Sequence, residues 1–228
     1  MGKRAIITID GPAGAGKSTV GRRLAQTLHY LYLDSGSLYR AAAWQAERLG
    51  LELGDPEALA AFLPGFQPEI RTGGAQFHLL IDGREVREEL RTAAVSRDAS
   101  QVAKLPVVRQ WVKEQLRRLA KDGGVVADGR DQGTVVFPEA EFKFYLDAAL
   151  RTRAERRARD WQGDGDPPDL EEVRRDLAAR DRQDENRAAA PLRVPPGAVV
   201  IDTTDMTVDE VVERCLNDIK ARGENGAR

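Results

Sequence analysis

The stretch Asp10-Gly-Pro-Ala-Gly-Ala-Gly-Lys-Ser-Thr-Val20 decides how this chain is read. It contains Gly11-x-x-x-x-Gly16-Lys17-Ser18, the spacing of a phosphate-binding loop, with a β-rich run (Ala5–Ile9) before it and a helical pattern (Val20, Leu24, Ala25, Leu28) behind it. Glycines let the backbone wrap so that successive N–H groups point at phosphate oxygens, and the helix N-terminus adds partial positive charge. Lys17 can reach β- and γ-phosphates as a mobile point charge, and the Ser18 hydroxyl can ligate Mg²⁺. The plainer reading, an ordinary glycine-rich strand-to-helix turn, loses to the flanking strand and helix. The residues point to a nucleotide-phosphate site.

Composition bounds the rest. The 228 residues carry 41% hydrophobic and 32% charged side chains, which fits a soluble globular protein of one α/β domain with an insertion, or two small domains. A net charge of −2 supplies no global positive field to recruit nucleic acid. Seven Lys stand against 28 Arg, a bias that suits bidentate phosphate recognition and equally suits GC-rich coding. Cys215 is the one cysteine, expected to be a small buried residue, so there is no disulfide framework and no zinc spacing. With no signal peptide and no apolar run long enough to span a bilayer, the expected setting is the cytoplasm, away from membranes.

Working outward, Ala5–Asp10 reads as a first strand and the loop's helix runs to about His29. A strand at Tyr30–Asp34 and a helix from about Ser37 to Leu49 follow, ended by Gly50 and Gly54. Between Pro56 and Ser96, Pro64, Gly65, Pro68 and Gly73-Gly74 punctuate short alternating runs, with Asp82-Gly83 as a hairpin turn; this predicts a small antiparallel insertion. A helix from Pro106 to Lys121, strands at Val125–Asp128 and Phe142–Leu146, and an Arg-rich helix from about Ala149 come next. Gly163-Asp-Gly-Asp-Pro-Pro168 is a polar break before a helix over 170–183, a strand over 198–202 and a final helix over 208–221. Five apolar strands separated by helices imply a parallel sheet with helices on both faces.

In such a sheet, ligands sit at the carboxyl ends of strands, so Asp34-Ser35-Gly36-Ser37-Leu38-Tyr39-Arg40 falls beside the loop. Asp34 or Ser35 can cap the next helix while Ser35 and Arg40 touch ligand. Asp128-Gly129-Arg130-Asp131 has the same placement: Asp128 is a Mg²⁺-side carboxylate by position, acting through water, and Arg130 can clamp a phosphate bidentately. The plainer alternative is a self-paired Asp- and Gly-rich turn. Arg153, Arg156 and Arg157 share a helix face and read either as solvated charge or as a mobile lid that closes over a transferring phosphoryl group. A nucleic-acid patch is disfavoured, because Arg151–Arg187 holds ten Arg against eleven Asp and Glu. Arg180, Asp184 and Arg187 recur at i, i+4 and i+7.

Taken with Ala99-Ser100-Gln101-Val102-Ala103, Pro106-Val107-Val108-Arg109 and Gly133-Thr134-Val135-Val136-Phe137-Pro138, these segments resemble the bacterial cytidylate kinases along the whole chain, with Gln132 where a methionine is common. The resemblance implies a P-loop NTPase fold: three-layer αβα, a five-stranded parallel sheet, a small antiparallel substrate-side insertion and a helical lid. It implies a core over 1–55 and 97–228, a lid at about 153–170 and an inserted nucleoside-monophosphate subdomain over 56–96. The implied reaction moves the γ-phosphoryl group of ATP to CMP or dCMP, giving CDP or dCDP and ADP, with Mg²⁺ held by Ser18 and, through water, Asp128. Gly11, Pro12, Ala13, Gly14, Ala15, Gly16, Lys17, Ser18 and Thr19 hold ATP on this reading; Lys17, Arg130, Asp128, Arg153 and Arg157 serve catalysis. Ser35, Arg109 and Asp131 then read cytosine, Ser100, Arg180 and Asp184 hold the sugar, and Arg40, Arg130 and Arg187 hold the acceptor phosphate. The expected partners are small molecules only, with the chain a monomer in the cytoplasm.

Two unrelated readings fare worse. A GTPase-type switch lacks an Asn-Lys-x-Asp motif and leaves the later arginines without a task, and an RNA-binding module conflicts with the interleaved acidic residues. A kinase for another monophosphate or small metabolite stays open.

Overall fold

Five parallel strands run in the order β2-β6-β1-β7-β8 in a computed structural model that describes residues 4–73, 76–159 and 169–225. The strands are β1 (Ile6–Asp10), β2 (Leu31–Asp34), β6 (Val125–Gly129), β7 (Phe142–Asp147) and β8 (Val199–Asp202). Val125, Val126 and Ala127 of β6 are fully buried, and so is Ile9 of β1, as a strand covered on both faces requires. Each strand is followed by a helix or helical turn: α1 (Lys17–Leu28), α2 (Ser35–Arg48), α6 (Leu150–Arg159) and α8 (Val208–Asn225). The parallel αβα arrangement expected from the spacing of apolar runs is therefore present, and its register aligns Asp34 with Asp128 and Asp10 with Gly129 at the carboxyl edge.

The run from 56 to 96 contains the expected antiparallel sheet, β3 (Glu69–Gly73), β4 (Gln76–Ile81) and β5 (Arg84–Glu85), paired in that order. It also contains a helix that alternation did not disclose, α3 (Pro56–Phe62), capped by the Asp55 side chain with proline in its first turn. A further helix, α4 (Ala93–Val102), passes through position 96 without a break. Helix α5 (Pro106–Leu119) buries Val108, Trp111, Val112 and Leu116, which recur at helical spacing along one face. Helix α7 (Leu170–Asn186) follows residues 160–168, which lie outside the described residues and include the polar break and the middle of the expected lid.

One hydrophobic cluster joins these parts. Leu59, Leu79, Ile81, Val86 and Leu90 pack with Leu38 and Ala42 of α2, Trp111 and Leu116 of α5, and Val125 of β6. Phe66 stacks on Trp111 with ring centroids 5.4 Å apart. A second cluster lies on the other face of the sheet, with Leu24, Phe144, Leu146, Val211 and Cys215.

Because the antiparallel sheet shares its apolar face with α2 and α5, Leu79→Ala is expected to lower the single global unfolding transition by about 2–4 kcal/mol. Denaturant unfolding followed by far-UV circular dichroism checks this; an early, separate transition with the main midpoint unmoved would contradict it.

Candidate functional site

The loop between β1 and α1 is shaped by positive-φ glycines. Gly11 has φ 145°, and a Cβ there would lie 2.0 Å from the Leu146 carbonyl oxygen; Gly14 has φ 80° and lies against Arg153. The backbone thus hugs β7 and α6, where only glycine fits. Lys17 is buried and donates to the Pro12 carbonyl at 2.6 Å. Burial, with the Arg130 charge adding to it, holds its ammonium well below the usual lysine range, against the pull of Asp128. A cation so disfavoured is stabilised by any anion that reaches it.

Gly14–Thr19 line a cavity of about 2100 Å³, with Arg40, Ser100, Arg157 and Arg180 also on its walls. Beside it lies a buried ionic network. Arg109 pairs with Asp131 and also donates to the Ala103 carbonyl at 3.1 Å. Arg130 Nε reaches Asp184 at 2.9 Å, and Arg187 Nη1 reaches the other Asp184 oxygen at 3.3 Å. Burial raises the Asp184 carboxyl, but Arg130, Arg180 and Arg187 outweigh it and hold the group below the usual carboxylate range. Ser35 donates to the Asp128 carbonyl at 2.8 Å, and Arg40 donates to Ser37 Oγ at 2.7 Å and Asp34 at 3.2 Å.

Positive charge is in excess here. Burial and the neighbouring charges of Arg130, Arg40 and Arg157 push Arg180 down to about 10, with Asp184 opposing. Arg40 Nε, Arg180 Nε and Arg187 Nη2 are buried donors without a hydrogen-bond partner among the described residues. Unpaired donors of this kind cost free energy, and an anionic ligand relieves the cost.

Of the residues singled out in the sequence, Gly14–Thr19, Arg40, Ser100, Arg157 and Arg180 line the cavity, Arg109, Asp131, Arg130, Asp184 and Arg187 form the ion pairs beside it, and Ser35 is buried against the Asp128 carbonyl. Arg153 differs from the lid expectation. It is buried in the first turn of α6, because the two-residue connection Ala148–Ala149 brings that turn against the loop. Its guanidinium donates to the carbonyls of Ala148 (2.9 Å) and Ala13 (3.1 Å) and to Asp181 (2.6 Å).

Two acidic residues do more than their places in the sequence suggest. Asp10, fully buried at the end of β1, accepts the amides of Gln132 and Gly133 at 2.7 Å each. The strand-end rule that singled out Asp128 applied equally to Asp10. Asp34 was read only as a cap; it does accept from Ser37 N at 3.0 Å, and it also orients Arg40. The π-helical turn Gln132–Val136 left no signature in the residue pattern.

For a divalent cation, the start of α1 and the end of β6 offer the Ser18 hydroxyl and the Asp128 carboxylate, near enough for the hydroxyl to favour the ionised carboxyl. Both are hard donors of the kind Mg²⁺ takes while keeping waters and phosphate oxygens, so the pair fits that ion. Burial and the Asp34 charge push Asp128 up to about 6, with Lys17 and Ser18 opposing.

The comparisons with known proteins agree on a family. The family model described as cytidylate kinase matches residues 7–221. A cytidylate kinase of Geobacillus kaustophilus is 44% identical over 97% of this chain and 99% of its own length. A bifunctional pantoate ligase/cytidylate kinase of Synechococcus elongatus is 44% identical over 98% of this chain, which spans 43% of that longer protein. In fold alone, a solved structure of an uncharacterized protein from Eubacterium ventriosum matches with a TM-score of 0.51 at 11% identity, covering 95% of this chain and 99% of that one.

The buried carboxyls set a pH dependence. Burial, opposed by the two amide hydrogen bonds, raises Asp10 to about 7, so the folded chain holds protons that the unfolded chain has released. Stability from Asp10 and Asp128 is therefore greatest in acid and declines as pH rises from about 4 to about 7. Thermal midpoints recorded at about pH 5 and about pH 8 are expected to differ less in Asp10→Asn than in the parent chain.

Proposed function

The chain belongs to the cytidylate kinase family, and on that premise we propose that it transfers the γ-phosphoryl group of ATP to CMP, and to dCMP, releasing ADP and the nucleoside diphosphate. The observation that carries this reading is the group of guanidiniums around Arg180 with buried, unpartnered donors, lying beside a buried Arg–Asp pair and facing the phosphate-binding loop.

On this reading the amides of Gly11 to Thr19 cradle the donor's phosphates and Lys17 leaves the Pro12 carbonyl for a β- or γ-oxygen, regaining the charge that burial disfavours. Arg40, Arg130 and Arg187 hold the acceptor phosphate, with Arg157 adding charge from α6; Asp184 and Ser100 orient the sugar with Arg180. Ser35, Arg109 and Asp131 supply donors and an acceptor for the edge of cytosine. A polar pocket of this kind rejects a base whose edge is mismatched, because its own buried groups are then left unpaired. The Arg109–Asp131 pair fixes both side chains before the base arrives.

Mg²⁺, held by Ser18 and through water by Asp128, would neutralise charge on the donor phosphates. The acceptor phosphate is already an anion, so no general base is needed. Rate enhancement comes instead from in-line placement of the two phosphates and from fixed positive charge around the transferring group. Water has to be kept out, since ATP would otherwise be hydrolysed, and the arginine-bearing faces of α6 and α7 border the cavity from which it is expelled. The reading makes the chain a cytoplasmic monomer whose partners are small molecules.

Lys17→Ala is expected to lower kcat by about 100-fold or more in an ADP-release assay with ATP, Mg²⁺ and a panel of monophosphates; a near-parental rate would remove the loop from the reaction. Asp131→Ala is expected to reduce the preference for CMP over UMP by about tenfold or more, read as the ratio of the two kcat/KM values. Because both substrates meet the same variant, that ratio is insensitive to partial unfolding, and an unchanged ratio would move the base pocket elsewhere.

A further inference from the structure

Helix α7 carries two of the acceptor-side residues, Arg180 and Asp184, and ends just before a third, Arg187, yet it is docked on the donor loop. Ala13 of the loop packs with Ala154 of α6 and with Val173 and Leu177 of α7 in a small apolar cluster of its own. One turn further along α7, the Arg153–Asp181 pair crosses the same junction, with Arg153 also holding the Ala13 carbonyl. Both side chains are nearly buried, 8% and 13% exposed. Asp181 Oδ1 is buried without a partner among the described residues.

An ion pair of this kind is a poor source of stability. Removing two charges from water consumes most of what their attraction returns, and an unpaired carboxylate oxygen adds to the deficit. Val173 and Leu177 already dock the helix. What the pair adds is direction: one guanidinium fixes the end of β7 through Ala148, the loop through Ala13 and α7 through Asp181, next in sequence to Arg180.

We propose that Arg153 and Asp181 are positioning residues that link the donor loop to the acceptor helix, so that nucleotide in the loop tightens the hold of α7 on CMP. This rests on the acceptor reading given above. Phosphates gripped by the loop fix the Ala13 carbonyl, which fixes Arg153, which holds Asp181 and thereby the turn bearing Arg180 and Asp184. The acceptor then meets a helix already ordered, and the linkage is reciprocal.

Calorimetric titration of the full chain with CMP, with and without AMP-PNP and Mg²⁺, tests this. The parent chain is expected to bind CMP about 5-fold or more tighter with the analogue present. In Asp181→Asn that ratio is expected to fall to within about 2-fold of unity, with CMP affinity in the absence of the analogue changing less. A brace without a linking role would lower the thermal midpoint and leave the ratio unmoved, which overturns the proposal; so does a parent ratio near unity. Arg153→Met combined with Asp181→Leu removes both buried charges and is read the same way should the single variant unfold. Unfolding of both marks the pair as a structural brace and also overturns it. If CMP fails to bind the parent chain at all, the acceptor reading fails rather than the link; CMP binding that ignores the analogue sinks the link alone.

Discussion

Two hydrogen bonds from the amides of Gln132 and Gly133 to Asp10 tie the halves of the site together. Asp10 ends the central strand, and the phosphate-binding loop begins one residue later. The amides it accepts open the turn that follows Asp131, the partner of Arg109. The phosphate-binding loop and the turn that follows the Arg109–Asp131 pair are thus both anchored to one buried carboxyl. A fully buried carboxyl survives only where such partners are supplied, so the sharp turn at Gln132–Val136 and the carboxyl at the strand end depend on each other.

The same constraint governs the remaining charges. Arg130, Arg187 and Asp184 share one buried network, and Asp34 holds Arg40. Each pairing orients an arginine through a neighbouring carboxylate. Arginine suits this task better than lysine because its planar fork can hold a carboxylate with one edge and offer the other to a phosphate. The excess of 28 Arg over seven Lys is in part spent here.

Much of this was legible in the residue order. The loop, the parallel sheet and the strand-end positions of Asp34, Asp128 and Arg130 follow from local pattern: glycine spacing, apolar run length and the rule that ligands gather at strand ends. The antiparallel sheet over 69–85 followed from turn residues. What escaped was set by contacts distant in sequence. Arg153 belongs by periodicity to an exposed arginine face; its burial depends on a short connection that presses the first turn of α6 under Ala13. Asp10 stands at a strand end that local pattern reveals, but its partners, the amides of Gln132 and Gly133, lie more than 120 positions away. Helix α3 has only seven residues, too few to establish a period.

The shared apolar cluster between the antiparallel sheet and the parallel one has an implication for recombination between relatives. Leu79, Ile81 and Val86 interlock with Leu38 and Ala42 on one helix and with Trp111 and Leu116 on another. Residues 69–86 therefore do not behave as a portable cassette: a chimera that imports this segment from a homologue inherits one half of a fitted surface, and must bring the matching faces of both helices with it or bury mismatched shapes and voids.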